Sequence, residues 1–356
     1  MALTDWTNEP RVPYDDLHAL IARMFEALGL RPFDATTAAD SLLIADLRGI
    51  ETHGVQRMNF YVLGFRQGLI KPVADLSVDR ERASTIAFSG NHGLGLVMAT
   101  RAMERVIAKA SETGICLGTI RESSHYGIAA RYALMATERN MCGMCMTNTS
   151  PIVVPFGAKR HALGTNPIAF TAPTNGDPFC LDMATSTVAL GKVEVARRLG
   201  IPIPAGWSLD AEGQDVTDPF AHAGLTPLGG DYLRGGHKGY GLGMMVEIFT
   251  SQLASTSWSG GIVREHADGD AASCGHMFMA IDIDAFRDLQ DFKDALTDMC
   301  LSLKAMEPVN PDAPVLVPGD PEMAATRYNL EHGVPIRQPV YEELQQLASE
   351  LGIAWL

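Results

Sequence analysis

A histidine and an arginine lie four residues apart in residues 51–57, at positions 53 and 57. If Thr52 caps a helix that begins here, His53 and Arg57 share one face of that helix. A guanidinium can clamp a carboxylate through paired hydrogen bonds, and an imidazole exchanges a proton near neutral pH. The pair therefore suits an anionic substrate with a reacting oxygen or nitrogen. Spacing alone, however, favours the plainer interpretation of a surface histidine beside a solvated arginine.

A second histidine, His125, lies in residues 121–127, between a predicted strand and a predicted helix. Strand-to-helix turns expose side chains and free N–H groups to ligands, including anions. The two serines that precede it, Ser123 and Ser124, fit an ordinary helix cap equally well. The segment is therefore a candidate site whose chemistry depends on what lies beside it.

Four other segments place polar residues where predicted elements begin or end. Residues 147–151 and 163–167 break apolar stretches and could hydrogen-bond a cofactor amide or phosphate, although alone they are only turns. Asp182 ends a predicted strand, and Ser186 can cap the helix that follows. Lys238 lies among glycines at a predicted helix start, where an ammonium group can approach a phosphate closely. Close backbone packing would require the same glycines.

The sequence lacks the common nucleotide-binding fingerprints. Gly93-Leu-Gly95 follows a predicted strand and opens a helix, but Met98 occupies the third glycine position. We therefore predict a tight turn here. No P-loop pattern appears, and the histidines and cysteines show no spacing typical of metal ligands. We expect no metal site.

Hydrophobic spacing predicts helices at both ends of the chain and mixed structure between them. Apolar residues recur every three or four positions over residues 17–28; a second helix, capped by Asp34, is expected next, and a third after Thr52. Strands and helices follow residue 72, among them a helix from residue 126 and strands over residues 141–147 and 168–172, and the tail from residue 321 is helical. Residues 202–236 form a long segment without periodicity, which is typical of a functional loop. The two helical ends could pack together.

Composition limits the function classes. The chain has 356 residues and a formal net charge of −14, which argues against a surface that binds nucleic acid. Its first residues do not resemble a secretory signal, and no apolar run is long enough to span a bilayer. The cysteines are scattered rather than arranged as a disulfide framework. A cytoplasmic location is the simplest expectation.

Seven motifs occur in order along the chain: THGVQR, SSHYG, TNTSP, GTNPIAF, DMATS, GK and HKGYGLG. Together they resemble the motifs of the malate/L-lactate dehydrogenase family over nearly the whole chain. That family is distinct from the Rossmann lactate and malate dehydrogenases, and it includes ureidoglycolate, sulfolactate and diketogulonate dehydrogenases or reductases and piperideine-2-carboxylate reductases. The resemblance implies an α+β fold whose NAD(P)-binding domain, residues 83–307, has a largely antiparallel sheet. Residues 1–82 plus 308–356 would form a helical domain for substrate binding and dimerisation. It also implies a homodimer and NAD or NADP as cofactor.

The same resemblance implies roles for individual residues. His53, with Thr52 as its polar neighbour, matches the proton donor, while Arg57 and Thr165 match the positions that hold the substrate carboxylate. His125 and Gly127 match the turn near the nicotinamide. In some members this histidine is the proton acceptor, so both histidines are candidates. The remaining positions that match cofactor contacts are Thr149, Asp182, Met183, Ala184 and Lys238.

The expected activity is the NAD(P)-dependent interconversion of a 2-hydroxy acid and a 2-oxo acid, with a small carboxylate as substrate and no nucleic-acid or membrane partner. One alternative is the reduction of a cyclic ketimine. Lys192 weakens that alternative, because it stands where the ketimine reductases carry aspartate beside their catalytic histidine. Another alternative is a non-catalytic relative that keeps the scaffold for binding.

Overall fold

The computed structural model describes residues 9–231, 233–262 and 273–356. Within these ranges, the strands are β1 (Arg11–Val12), β2 (Ser77–Glu81), β3 (Thr85–Ser89), β4 (Ile115–Ser123), β5 (Met141–Thr147), β6 (Ile168–Ala172), β7 (Phe179–Met183), β8 (Ser208–Leu209), β9 (Asp215–Val216), β10 (Gly224–Leu225), β11 (Cys274–Asp282) and β12 (Val334–Pro335). The helices are α1 (Tyr14–Ala27), α2 (Pro32–Leu47), α3 (Met58–Arg66), α4 (Gly95–Thr113), α5 (Ala130–Thr137), α6 (Leu190–Leu199), α7 (Gly236–Glu247), α8 (Leu289–Lys304), α9 (Asp320–His332) and α10 (Gln338–Glu350).

The described residues form a seven-stranded central sheet in the order β2-β3-β4-β11-β5-β6-β7. β3 and β4 pair in parallel across the crossover helix α4, and the other neighbouring strands are antiparallel. This mostly antiparallel α+β architecture confirms the expected fold class. The strand β11 lies between β4 and β5, so it adjoins the two strands that lead into residues 123–127 and 147–151.

The N-terminal helices form as their apolar spacing predicts. α1 buries Leu17, Leu20 and Phe25 on its inner face. The prediction that Asp34 caps α2 is wrong, since the helix begins at Pro32, a residue whose fixed φ and missing N–H suit the first helical position. The Asp34 carboxylate lies inside the first turn and is paired with Arg31 and Arg101 instead.

The two ends of the chain pack together, as predicted. β1 pairs with β12 in an antiparallel ladder, and Asn329 of α9 donates hydrogen bonds to the carbonyl oxygens of Asp46 and Leu47 at the end of α2. One buried hydrophobic cluster runs from α1 through α4 to Phe278 in the sheet and Leu344 in α10. The division into residues 1–82 plus 308–356 and residues 83–307 stays a prediction.

Several predicted boundaries shift in the loops around the sheet. The helix expected from residue 126 begins at Ala130. The helix expected near Ser186 begins at Leu190, since the Ser186 hydroxyl donates to the carbonyl oxygen of Val188 instead of capping that helix. The segment 202–236 contains a small antiparallel sheet of β8, β9 and β10. α7 continues into a π-helical turn over Ile248–Gln252. Across the described residues, we find no helix with the length and apolar character needed to cross a membrane.

Candidate active site

Thr52 and His53 lie in a tight turn between α2 and α3. Two short 3-10 turns, Glu51–His53 and Val55–Arg57, precede the first residue of α3, so the prediction that Thr52 caps this helix is wrong. Gly54 separates the two turns with φ −93° and ψ −143°, which breaks helical continuity. The Thr52 hydroxyl is instead hydrogen-bonded to Nδ1 of His53 at 2.9 Å.

Arg57 folds back over this turn. Its backbone N–H donates to the carbonyl oxygen of Gly54 at 2.8 Å, and its Nε donates to the carbonyl oxygen of Thr52 at 2.7 Å. The side chain therefore returns to the part of the chain that carries His53, although the two residues do not share the helical face that the spacing predicted. Among the residues that the structure describes, no ion pair or further side-chain hydrogen bond involves Arg57. Its terminal guanidinium nitrogens can therefore meet a ligand.

His125 is held by its Nδ1 atom. The backbone N–H of Gly127 donates to Nδ1 at 3.3 Å, and the Tyr61 hydroxyl lies 2.8 Å from the same atom. A backbone N–H can only donate, so Nδ1 is the acceptor and Nε2 carries the hydrogen of the neutral ring. Burial raises the pKa of Tyr61, which keeps its hydroxyl protonated as a donor.

The fold brings the two candidate histidines together from separate segments. Their ring centroids are 5.7 Å apart and the ring planes differ by 27°. The Phe60 ring packs edge-on against His125 at 5.8 Å, yet 51% of Phe60 is exposed. A ligand that reaches one imidazole therefore meets the other, with an apolar side chain at the edge of the site.

Both histidines are electrostatically tuned toward the neutral form. Burial, followed by the charge of Arg57, lowers the pKa of His53 to about 4. Burial also lowers the pKa of His125 well below its usual value, and positive charge on His53 or Arg57 would lower it further. Strongly shifted pKa values in neighbouring groups are typical of sites that transfer protons.

The first residue of α4 supports the His125 turn. The N–H of Gly95 donates to the Ser124 hydroxyl at 2.8 Å, and a Cβ at this position would lie 2.1 Å from the Ser124 carbonyl oxygen. The predicted turn forms just before it, where the N–H of Gly93 donates to the carbonyl oxygen of Gly90. Gly95 therefore allows a close approach of helix and loop, and any side chain there would displace the backbone next to His125.

His276 supports the same turn from the sheet, and the sequence analysis assigned it no role. It is fully buried in β11, with Nδ1 2.7 Å from the Thr147 hydroxyl and Nε2 2.9 Å from the Ser123 hydroxyl. The Tyr126 ring stacks on its imidazole at 4.4 Å. His276 thus contacts both sides of the His125 segment. The available signal was a polar residue inside an apolar strand, which requires buried hydrogen-bond partners.

The loops that carry Thr149 and Thr165 are also brought together. The Thr165 N–H donates to the Thr149 hydroxyl at 3.0 Å, and the two hydroxyl oxygens lie 3.4 Å apart. The Thr185 N–H donates to the Thr165 carbonyl oxygen at 2.8 Å. This arrangement joins three of the predicted motifs.

A buried carboxylate of α7, Glu247, holds these two loops in place. It accepts hydrogen bonds from the side-chain amides of Asn166 at 2.9 Å and Asn148 at 3.4 Å, and from the Ser259 N–H. No cation pairs with it among the described residues, so these amide donors satisfy its charge. The sequence showed only that Glu247 interrupts the apolar stretch 239–253.

Asp182, Met183 and Ala184 lie at the end of β7 and in the residue after it, where all three are partly buried. The Asp182 carboxyl accepts a hydrogen bond from the N–H of Ala130 at 2.8 Å, and burial raises its pKa to about 6. The chain then continues to Gly191 in the first turn of α6. A Cβ at Gly191 would lie 3.0 Å from the Thr52 methyl group, so this segment reaches the His53 turn.

Lys238 lies in the first turn of α7 with its side chain exposed. The structure shows no hydrogen bond or ion pair from its ammonium group to any described residue. The neighbouring glycines serve close packing, since a Cβ at Gly236 would lie 1.9 Å from the Gly230 carbonyl oxygen and one at Gly239 would strike Leu228. An exposed ammonium at the positive end of a helix suits a phosphate.

No group of three or more histidine, cysteine, aspartate or glutamate side chains is placed to hold a metal ion in the part of the chain that the structure describes. The side chains that the structure places around the His53 and His125 turns include the two imidazoles, the Arg57 guanidinium and the Thr52 hydroxyl.

The sequence profile of the family described as malate/L-lactate dehydrogenase matches residues 12–345. The chain belongs to this family. It is 41% identical over 353 residues to a malate dehydrogenase of Pyrococcus abyssi, covering 98% of this chain and 97% of that protein. It is 35% identical over 341 residues to a malate/(S)-sulfolactate dehydrogenase of Methanothermus fervidus, covering 95% and 97%. The solved malate dehydrogenase of Pyrococcus horikoshii superimposes with a TM-score of 0.91 at 39% identity, covering 100% and 99%.

The mostly antiparallel sheet of this family member agrees with the missing dinucleotide fingerprint, which belongs to a parallel sheet. In the described sheet, β3 and β4 are the strands that pair in parallel, and the Gly95 turn between them packs against the His125 loop. The glycine-rich turn of this family member thus packs against the loop that carries His125.

Proposed function

We propose that this family member is an NAD(P)-dependent oxidoreductase that interconverts a 2-hydroxy acid and a 2-oxo acid. The observation that carries the proposal is the placement of His53 and His125 face to face, with Arg57 folded back over the His53 turn. The reaction needs an anion clamp and a proton carrier beside one small ligand, and these three side chains supply both.

Arg57 and Thr165 bind the substrate carboxylate in this proposal. The Nε of Arg57 is already bonded to Thr52, so the two terminal nitrogens of the guanidinium form the fork that receives the carboxylate oxygens. A bound carboxylate places negative charge beside Arg57. Burial and, after it, the charge of Arg57 lower the pKa of His53, and the bound carboxylate would offset the second of these causes.

His53 exchanges the proton, and His125 donates a hydrogen bond. The Thr52 hydroxyl can donate to or accept from Nδ1 of His53, so either tautomer of this ring is available for taking up and releasing a proton. Nδ1 of His125 is committed as an acceptor of the Gly127 N–H, and its Nε2 already carries hydrogen. His125 therefore orients the substrate oxygen while His53 takes the hydroxyl proton during oxidation.

The residues present fit a nicotinamide cofactor. Lys238 offers an exposed ammonium at a helix N-terminus, which suits a phosphate, and the Thr149 loop lies against the Thr165 loop. The residues that would hold the cofactor are Thr149, Asp182, Met183, Ala184, Lys238, and the turn of His125 and Gly127. When bound, the nicotinamide supplies or accepts the hydride at C2 of the substrate. NAD and NADP are both open.

We also propose that the chain forms a homodimer, with the helical segments 1–82 and 308–356 as the unit for substrate binding and dimerisation. The family resemblance supports this assembly. Phe60 and Leu63, each 51% exposed on α3 beside the site, are apolar surface that a second subunit would cover. Light scattering of the purified protein measures its molecular mass in solution, which distinguishes a dimer from a monomer.

The activity is tested by following absorbance near 340 nm with a panel of 2-oxo acids and cyclic imines against NADH and NADPH. We expect turnover with at least one 2-oxo acid. Turnover confined to cyclic imines would establish the ketimine reductase alternative, and binding without turnover would establish a non-catalytic relative. Lys192 favours the 2-oxo acid, because lysine stands where the ketimine reductases carry aspartate; its ammonium group lies over the Trp207 ring, 6.0 Å from the centroid.

A further inference from the structure

Asp46 is a buried acid in the last turn of α2, and neither the proton transfer nor the substrate clamp uses it. Its Oδ2 accepts a hydrogen bond of 2.8 Å from the N–H of Val55, two residues after His53. The residue is 6% exposed. A buried carboxyl group needs a hydrogen-bond partner, and here that partner is the backbone of the turn that carries His53.

The contact between Asp46 and this turn leaves no space for a side chain at Gly54. A Cβ at Gly54 would lie 2.0 Å from Oδ1 of Asp46 and 2.2 Å from Oδ2. The φ angle of Gly54, −93°, lies outside the left-handed region that favours glycine, and the space taken by the Asp46 carboxyl group excludes a side chain here. The carboxyl group thus lies directly against the backbone that follows His53.

The other end of the contact is fixed independently of the turn. The side chain of Asn329 in α9 donates to the carbonyl oxygens of Asp46 at 3.3 Å and Leu47 at 3.0 Å. The Asp46 carbonyl oxygen also accepts the N–H of Gly49 at 3.0 Å, so Asn329 adds to the bonds that hold this helix end. Asp46 therefore projects from a helix end that the C-terminal part of the chain holds in place.

We infer that Asp46 is a positioning residue for His53: its carboxyl group fixes the backbone of Gly54 and Val55 and thereby sets the place of the imidazole relative to Arg57 and His125. The inference rests on the proposed function, in which His53 exchanges the substrate proton. Burial raises the pKa of Asp46 to about 8, so a neutral amide of the same shape can replace it. That equivalence supplies the conservative variant for the test.

The experiment compares Asp46→Ala and Asp46→Asn in steady-state kinetics and cofactor titrations. We expect Asp46→Ala to lower kcat about 100-fold with an unchanged cofactor Kd, because small displacements of a reacting group cost that much. Asp46→Asn keeps an acceptor for the Val55 N–H and should stay within about threefold of the wild type. Asp40→Ala is the matched control, since Asp40 lies on the same helix and bonds His18, away from the turn. It should leave kcat unchanged.

Gly54→Ala tests the same contact from the other side. Alone it should lower kcat as Asp46→Ala does, because its methyl group pushes against the carboxyl group. In the double variant Asp46→Ala, Gly54→Ala the carboxyl group is gone, so the second substitution should add no loss; the two effects are then non-additive. If Asp46→Ala does not fold, Gly54→Ala and Asp46→Asn together still decide whether Asp46 positions His53. Full activity in Gly54→Ala would overturn the inference.

Nitrogen-15 NMR of labelled histidine separates this inference from the proposed activity. The ring signals of His53, assigned with His53→Gln, should move in Asp46→Ala and Gly54→Ala and stay in place in Asp40→Ala. That result would support positioning even if no 2-oxo acid is turned over, in which case the proposed function alone fails. Unchanged His53 signals with a lowered melting temperature would show that Asp46 only stabilises the fold.

Discussion

The imidazole rings of His53 and His125 lie nearly parallel, with centroids 5.7 Å apart and 27° between their planes. Two positive charges at this distance in a partly buried site would repel strongly, so the pair carries at most one added proton. Burial lowers the pKa of both rings, and the positive charge of Arg57 lowers it further. In the proposed mechanism, the pair therefore serves as one proton site and one hydrogen-bond donor.

Replacing either histidine should separate these roles. We expect His53→Gln to lower kcat by about 10² to 10⁴, the usual cost of losing a general acid or base, and to remove the acid limb of the pH profile for oxidation. His125→Gln should lower kcat but keep that limb. Loss of the limb in His125→Gln with its retention in His53→Gln would reverse the assignment. Near-normal turnover in both would refute the mechanism.

Arg57→Lys should raise the Michaelis constant for the 2-oxo acid about tenfold or more, with little change in cofactor affinity. Lysine cannot donate to the Thr52 carbonyl oxygen and form a two-pronged carboxylate contact at once. Steady-state kinetics and cofactor titration measure the two effects. Arg66→Lys, on exposed α3 surface where Arg66 pairs with Glu350, is the control. Wild-type kinetics in Arg57→Lys would end the carboxylate-clamp hypothesis.

Lys238→Ala should weaken binding of the nicotinamide cofactor more than it slows turnover at saturating cofactor. The exposed ammonium would contact the cofactor phosphates, so its loss should raise Kd about tenfold, the size of one charge-assisted contact. Fluorescence titration with NADH and NADPH measures Kd. Lys293→Ala, on α8, is the control for loss of one positive charge. An unchanged Kd in Lys238→Ala would remove this residue from the cofactor site.

His276 should make the protein less stable in acid. Burial lowers its pKa to about 3 from an ordinary value of 6.5, so between these pH values the unfolded chain binds a proton that the folded chain refuses. Stability therefore falls as the pH drops through this window. At pH 5 the loss from this one group is about 2 kcal/mol.

Denaturant unfolding of the wild type and His276→Asn at pH 7.5 and pH 5 measures this effect. We expect the wild type to be the more stable protein at pH 7.5, since His276 joins Ser123 and Thr147. Its advantage should shrink by about 2 kcal/mol at pH 5, because the variant lacks the titrating ring. The other titrating groups are common to both proteins. If the difference in the free energy of unfolding between the two proteins does not change with pH, His276 is not a neutral, buried group.

Local patterns in the sequence determined most of the elements. The strands Met141–Thr147 and Ile168–Ala172 form at the predicted bounds, and α1 buries its predicted apolar stripe. These features depend on side-chain periodicity, which a helix or strand expresses over a few residues. The order of the motifs likewise indicated the family, which the match over residues 12–345 confirms.

Contacts between distant segments were decided by the tertiary structure alone. Spacing placed Thr52 as a helix cap, but its hydroxyl binds His53, because Gly54 turns the chain against the buried carboxyl group of Asp46. No local sequence pattern indicates that Asp46 lies against the His53 turn, or that Glu247 reaches the Thr165 loop from α7. A buried polar group must find partners wherever packing brings them, and those partners can lie anywhere along the chain. For this reason the sequence could name His53 and His125 as candidates, while only the fold could place their rings side by side.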